Sequence, residues 1–264
     1  MSALKEKIDN FKSTVWEFYR ANKREFAWRN NPTQYGVVVS EIMLQQTQTN
    51  RVKEKYNSFL QVFPSFEDLA RADLSEVIKQ WVGLGYNRRA LALHGIAQRI
   101  VRDYKGLLPD DIEVLKTFKG LGHATASSIV AFAHNKPTVF IETNIRAVFL
   151  HTFYLQQEEI HDNELMPFVE LSVDQTNPRE WYYALMDYGV HVKKLHKNPS
   201  RKSLHHTVQS KFEGSDRQIR GAIVKVFAFR PATTLLELKG ELPFDEDRIE
   251  KQYTALVKEG FISK

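Results

Sequence analysis

Apolar residues recur at helical spacing along almost the whole chain. Ile8, Phe11, Val15, Phe18 and Tyr19 fall at three- and four-residue steps and predict a first amphipathic helix. Ser65 with Asp68, and Asp73 with Glu76, have the spacing of a capping side chain and the third residue of a helix, so a helix is expected after each. Further helices are expected around 77–82, 90–104 and 110–118, punctuated by Gly83, Gly85, Gly106 and Pro109. Residues 137–141, with the β-branched Thr138, Val139 and Ile141, read as a short extended stretch. Helices are expected again around 164–173 and 179–192, and then over 218–229, 233–239 and 244–260. The tail Gly260-Phe261-Ile262 reads as a strand, which would turn the last three helices into a small winged-helix-like module that packs on a larger domain.

Composition narrows the class. With 264 residues, 42% apolar and 26% charged, the chain is that of a soluble globular protein and not of a disordered one. Neither a membrane-spanning apolar run nor a leader-like start is expected, which predicts an intracellular protein of the cytoplasm or nucleoid, without membrane contact. The sequence has no Cys, which excludes disulfides, thiolate-held zinc and an iron–sulfur cluster, and no cofactor is expected. The net charge of +5 is concentrated. Residues 191–220 hold eight Lys and Arg against two acids, and the remainder of the chain holds 29 against 30. A basic run can be a solvated linker. It can equally meet a polyanion, where each neutralised phosphate releases counterions.

Two glycine turns and two carboxylates carry the candidate chemistry. Phe118-Lys119-Gly120-Leu121-Gly122-His123-Ala124-Thr125 joins one helix to the next, and Gly at both sites permits positive φ and close backbone approach. The backbone N–H groups there, with those of His123 and Thr125, are expected to face outward and receive a phosphate oxygen. Gly83-Leu84-Gly85-Tyr86 is a second such turn ending in an aromatic. Glu142 follows the extended stretch and stands at a helix start, where it can simply cap. Glu41 lies within the predominantly apolar Val37-Val38-Val39-Ser40-Glu41-Ile42-Met43-Leu44. A desolvated glutamate there would hold its proton toward neutrality, as a general acid must.

Phe26-Ala27-Trp28-Arg29, Ser40-Glu41-Ile42-Met43-Leu44-Gln45-Gln46-Thr47, Gly83-Leu84-Gly85-Tyr86, the Gly120/Gly122 hairpin and Glu142-Thr143-Asn144-Ile145-Arg146 occur together in order. In this combination the chain resembles the helix-hairpin-helix (HhH-GPD) DNA glycosylases, most closely the MutY-type adenine glycosylases, over residues 5–194. The resemblance implies an all-α fold of two helical lobes with a cleft between them (1–195), a basic DNA-contacting segment (196–220) and the C-terminal module (221–264). It implies that Glu41 protonates a flipped base and that Glu142 stabilises the sugar cation. Trp28, Arg29 and Asp187 would line the base pocket, and Gln46 and Tyr86 would wedge into the duplex. Gly120 and Gly122 would bind phosphate and could hold a monovalent cation through backbone carbonyls.

The chain departs from that pattern in four ways. Glu142 stands where the family has aspartate. Ala124 stands where bifunctional relatives carry a Schiff-base lysine, so no lyase activity of that kind is expected. No Cys can hold the family's cluster, and the basic residues Lys193, Lys194, Arg201 and Lys202 are expected to take over its phosphate contacts. Residues 221–264 are fewer than the domain with which typical MutY enzymes read 8-oxoguanine. The expected activity is therefore monofunctional hydrolysis of the N-glycosidic bond of a mismatched base in double-stranded DNA, acting as a monomer. The base would be adenine opposite G or 8-oxoguanine. The alternatives are thymine, uracil or another damaged base, and a DNA-binding protein without catalysis.

Overall fold

The computed structural model describes residues 2–262. In chain order the helices are α1 (Ser2–Asn22), α2 (Ala27–Asn30), α3 (Gln34–Leu44), α4 (Thr49–Val62), α5 (Phe66–Arg71), α6 (Leu74–Trp81), α7 (Arg88–Tyr104) and α8 (Ile112–Lys116). They continue as α9 (His123–His134), α10 (Thr143–Phe153), α11 (Asp162–Ser172), α12 (Pro178–Leu195), α13 (Asp216–Phe229), α14 (Leu235–Glu241) and α15 (Glu246–Lys258). A 3-10 turn spans Pro199–Lys202. The all-α reading holds, and the expected helices appear with α2 and α4 in addition. No helix among the described residues is long and apolar enough to cross a membrane.

The chain divides into two units, each discontinuous in sequence. Unit one comprises residues up to Val37 with Asp110–Val208, and unit two comprises Val38–Pro109 with the chain from Gln209 onward. The boundaries implied by the resemblance, at 195/196 and 220/221, fall inside these units, and the basic run 191–220 is shared between them. In unit one, α1, α10 and α12 enclose a core of Phe11, Val15, Phe149, Trp181 and Leu185. Phe11 meets Trp181 edge-on at 6.0 Å, a geometry that suits the aromatic quadrupole, and lies tilted against Phe149 at 5.2 Å. The α1 positions expected from periodicity are the buried ones, with Phe18 half-buried.

In unit two the C-terminal helices bury Ile219, Ile223, Leu238, Ile249 and Leu256 together with Ile78 of α6. A module this small gains its core by sharing it. The expected strand at 260–262 is absent, and with it the β-element of a winged helix. Gly260 takes φ 82°, Phe261 donates its N–H to the Leu256 carbonyl at 3.0 Å, and Ile262 is buried in the same core. A strand needs a neighbour to satisfy its backbone, and none exists among the described residues. The one β-type pairing there is an isolated bridge between Ile160 and Ser203.

Helix ends follow local chemistry. Ser65 accepts from the Asp68 N–H at 3.1 Å, as its spacing predicted, whereas Asp73 starts α6 without a side-chain cap. Residues 137–141 run extended without forming a strand. They are anchored where the Thr138 hydroxyl donates to the Ser127 carbonyl and the Tyr182 hydroxyl donates to the Thr138 carbonyl. That anchoring delivers the chain to Glu142.

Candidate active site

In unit two, α3 is buried at Val38, Val39, Ser40, Ile42 and Met43, and Glu41 is the half-buried carboxylate among them. Beyond Leu44 the chain turns sharply. Gln46 adopts φ 53° and is exposed. Tyr86 adopts φ 47° after Gly83 (φ 101°) and Gly85 (φ 72°), and it is exposed as well. Both expected wedge residues thus stand in the left-handed region, uncommon for side-chain-bearing residues.

Arg89, which no motif flagged, joins these two turns. Its guanidinium is buried, with the residue 8% exposed, and donates to backbone carbonyls of Ile42, Met43 and Gln45 on one side and of Leu84 and Gly85 on the other. It also donates to the Thr47 hydroxyl at 2.8 Å. A signal for it exists: Arg89 occupies the buried register of α7 shared by Leu93, Ile96, Ala97 and Ile100.

In unit one, Glu142 is the N-cap of α10. Its Oε1 accepts from the N–H groups of Asn144 at 2.8 Å and Ile145 at 3.1 Å, and its Oε2 from the Asn144 side-chain amide at 3.3 Å. A negative charge is favoured at that terminus. Lys193 of α12 lies within electrostatic reach. Its burial pushes its pKa below the usual lysine value, Glu142 pulls it up and Arg24 pushes it down. Gly189 brings α12 against α10 so closely that a Cβ would stand 2.4 Å from the Asn144 carbonyl oxygen.

The structure brings Arg29 and Asp187 together. Asp187, 2% exposed, accepts from Arg29 at 2.9 Å and from the side chain and backbone of Arg24 at 2.7 and 2.9 Å. Trp28 stacks on Phe26 with centroids 4.8 Å apart, and the Arg29 guanidinium lies over Phe26 and over Tyr183. All three expected pocket residues are therefore buried, and the Asp187 carboxylate is taken by two arginines.

The hairpin lies between α8 and α9. Gly120 needs its glycine, with φ 95°. Gly122 does not: it is the N-cap of α9 with φ −85°, no side-chain cap bond, and open space where a Cβ would stand. The expectation of positive φ at both sites thus holds at one. His123 is exposed with its Nε2 3.3 Å from the Val139 carbonyl, and Thr125 is half-buried in the first turn of α9.

The basic residues separate by role. Lys194 and Arg201 are exposed and Lys193 is half-buried. Lys202 instead donates to the carbonyls of Tyr154 at 3.2 Å and Leu155 at 2.6 Å, beyond the end of α10. Cations are favoured at a helix C-terminus, so its ammonium serves the fold. Ser200 donates to the Thr143 carbonyl and fastens the 3-10 turn to the same helix. In unit two, Arg220 pairs with Glu259, and Arg217 donates to the Tyr86 hydroxyl at 3.1 Å. Among the described residues no cluster of His, Cys, Asp and Glu could hold a metal ion. Without Cys, the thiolate ligands of an iron–sulfur cluster do not exist in this sequence.

Residues 39–170 match the family described as HhH-GPD superfamily base excision DNA repair protein, and the chain belongs to that family. Within it, the chain is 36% identical over 132 residues to an adenine DNA glycosylase of Mycobacterium tuberculosis, a match covering 50% of this chain and 43% of that protein. It is 28% identical over 190 residues to a thymine/uracil-DNA glycosylase of Methanothermobacter thermautotrophicus, covering 71% and 86%. The solved structure of a thermostable thymine-DNA glycosylase matches with a TM-score of 0.64 and 26% identity, over 71% of this chain and 88% of that one. The chain spans less than half the length of the mycobacterial adenine glycosylase it matches.

Proposed function

We propose that this protein is a monofunctional DNA glycosylase that hydrolyses the N-glycosidic bond of a mismatched adenine, opposite G or 8-oxoguanine, in double-stranded DNA. It acts as a monomer and without a cofactor. The observation that carries this reading is Glu41, a carboxylate kept on a helix whose neighbouring positions are buried. A base must leave the stack before any side chain can reach it, at a cost of a few kcal/mol that Gln46 and Tyr86 offset by filling the gap. Glu41 then protonates N7, the C1′–N9 bond breaks with its electron pair passing to the base, and Glu142 offsets the positive charge left on the sugar. Water adds to C1′ and loses its proton. The division between acid and charge stabiliser is that of glycosidases.

Ala124, exposed in the first turn of α9, offers no amine for a Schiff base, which supports hydrolysis without strand cleavage. The uncapped start of α9 at Gly122, with Lys193, Lys194 and Arg201, supports contact with the DNA backbone. The alternative is excision of thymine or uracil opposite G, the activity named for a relative matched over 86% of its length.

Single-turnover assays on duplexes carrying one A, T, U or hypoxanthine opposite G, and A opposite 8-oxoguanine, test the assignment. The parent should release adenine, and Glu41→Gln should lower that rate by about 10²–10⁴-fold while duplex binding persists. Glu142→Gln should remove most activity, and Glu142→Asp should keep or raise it. Release of adenine by Glu41→Gln at the parental rate would refute the role of the acid. Release of thymine or uracil alone would favour the second reading.

A further inference from the structure

We propose that Arg89 is a positioning residue that sets the poise of the wedge, a role that rests on the assignment of Gln46 and Tyr86 as wedge residues. Each of those residues holds a left-handed backbone conformation at the tip of its turn, with φ of 53° and 47°. Such conformations persist in residues other than glycine where the surroundings over-determine them. Here one side chain supplies that determination on both turns at once.

Through one terminal nitrogen Arg89 donates to the carbonyls of Ile42 at 3.0 Å, Met43 at 2.8 Å and Gln45. Ile42 and Met43 lie in the last turn of α3, whose carbonyls have no partner within the helix, so the guanidinium also caps α3. Through the other nitrogen it donates to Leu84 at 3.1 Å, Gly85 at 2.9 Å and the Thr47 hydroxyl at 2.8 Å, and Nε reaches the Tyr86 carbonyl at 3.4 Å. Its Cζ lies 5.3 Å from the Trp81 centroid and 5.5 Å from that of Tyr86. Thr47 adds a direct tie, with its hydroxyl 3.3 Å from the Leu84 carbonyl, and the Trp81 indole N–H holds the Gly85 carbonyl at 3.1 Å. The two turns are 40 residues apart in sequence and move as one piece because they share these donors.

These acceptors are carbonyl and hydroxyl oxygens, arranged around a flat fork. Burial lowers the pKa of Arg89 to about 10, which leaves it charged at neutral pH. Lysine keeps the charge and loses the fork, with three donors on one atom where arginine has five on a plane. Arg89→Lys therefore perturbs geometry and leaves charge in place.

The test reads base extrusion and leaves bond cleavage aside. The probe is a duplex with 2-aminopurine beside an adenosine mismatched to G, that adenosine bearing a 2′-fluorine so that its glycosidic bond survives. Fluorescence on binding reports unstacking. Arg89→Lys should weaken the extrusion equilibrium about tenfold, a coupling typical of residues in direct contact. In a Gln46→Ala/Tyr86→Ala background the same substitution should change it by less than about twofold, because the groups it positions are gone. Equal effects in both backgrounds, or no effect in the parent, would overturn the proposal. Should Arg89→Lys fail to fold, Thr47→Val, which removes one acceptor, should show a smaller loss with the same dependence on background, and an equal loss in both backgrounds would overturn it. Unchanged extrusion in Gln46→Ala/Tyr86→Ala alone would overturn the wedge assignment itself, a result distinct from the others.

Discussion

Gly189→Ala should damage base release through the helix that carries Glu142. Gly189 of α12 faces Asn144 of α10. An added Cβ would stand 2.4 Å from the Asn144 carbonyl oxygen and 2.8 Å from its carbonyl carbon and its Cβ. The nearest contact falls about 1 Å short of ordinary van der Waals separation. The obstructing atoms are mostly backbone, so no rotamer change relieves them, and α12 or the first turn of α10 must shift. Overpacking of this kind costs about 1–3 kcal/mol, or a fall in Tm of about 3–10 °C for a chain of this size. The displaced turn is the one whose Asn144 and Ile145 N–H groups hold the Glu142 carboxylate. A misplacement of about 1 Å at a catalytic group can cost about 100-fold in rate. Thermal melts and single-turnover adenine release on the same preparations measure both effects, with Gly95→Ala, exposed on α7 with open space at its Cβ position, as the control. A Gly189→Ala protein with parental Tm and parental rate would refute the claim that this contact sets the position of Glu142.

The basic residues should separate by assay. Replacing Lys194 and Arg201 with Ala should flatten the slope of log affinity against log salt by about two, near 0.9 for each lost phosphate contact, and leave Tm in place. Lys202→Ala should lower Tm and leave the slope alone, since its ammonium binds carbonyls beyond the end of α10, and a slope change equal to that of Lys194→Ala would contradict this. Glu259 is held down to about 2, first by its hydrogen bond from Arg88 and also by Arg220. A carboxylate depressed in the fold stabilises it above the unfolded value near 4.3 and loses that contribution as pH falls toward 2. Between pH 5 and pH 3 the Tm of the parent should therefore fall more steeply than that of Glu259→Gln, and parallel curves would exclude the linkage.

What could be read from the sequence, and what could not, follows the range of each interaction. Helices such as α7 and α12 are periodic over several turns, and the cap at Ser65 is complete within three residues, so local pattern suffices for both. The strand expected at 260–262 failed because pairing is not local: the tail is apolar for burial in a helical core, and Ile262 fills it. For the same reason composition does not distinguish the exposed Lys194 from a Lys202 turned onto carbonyls of residues 154 and 155. The α10 cap shows a further ambiguity. A carboxylate at a helix start is legible as a cap and legible as a reactive charge, and Glu142 satisfies the first reading by geometry without excluding the second. Arg89 lies at the limit of what a sequence can announce. A cation in the register of Leu93, Ile96 and Ile100 says that something buried must receive it. Its acceptors, however, are mostly backbone carbonyls, which every residue carries, so no residue pattern marks them. Such a network is found through its donor, and an arginine in an apolar register is the place to look for it.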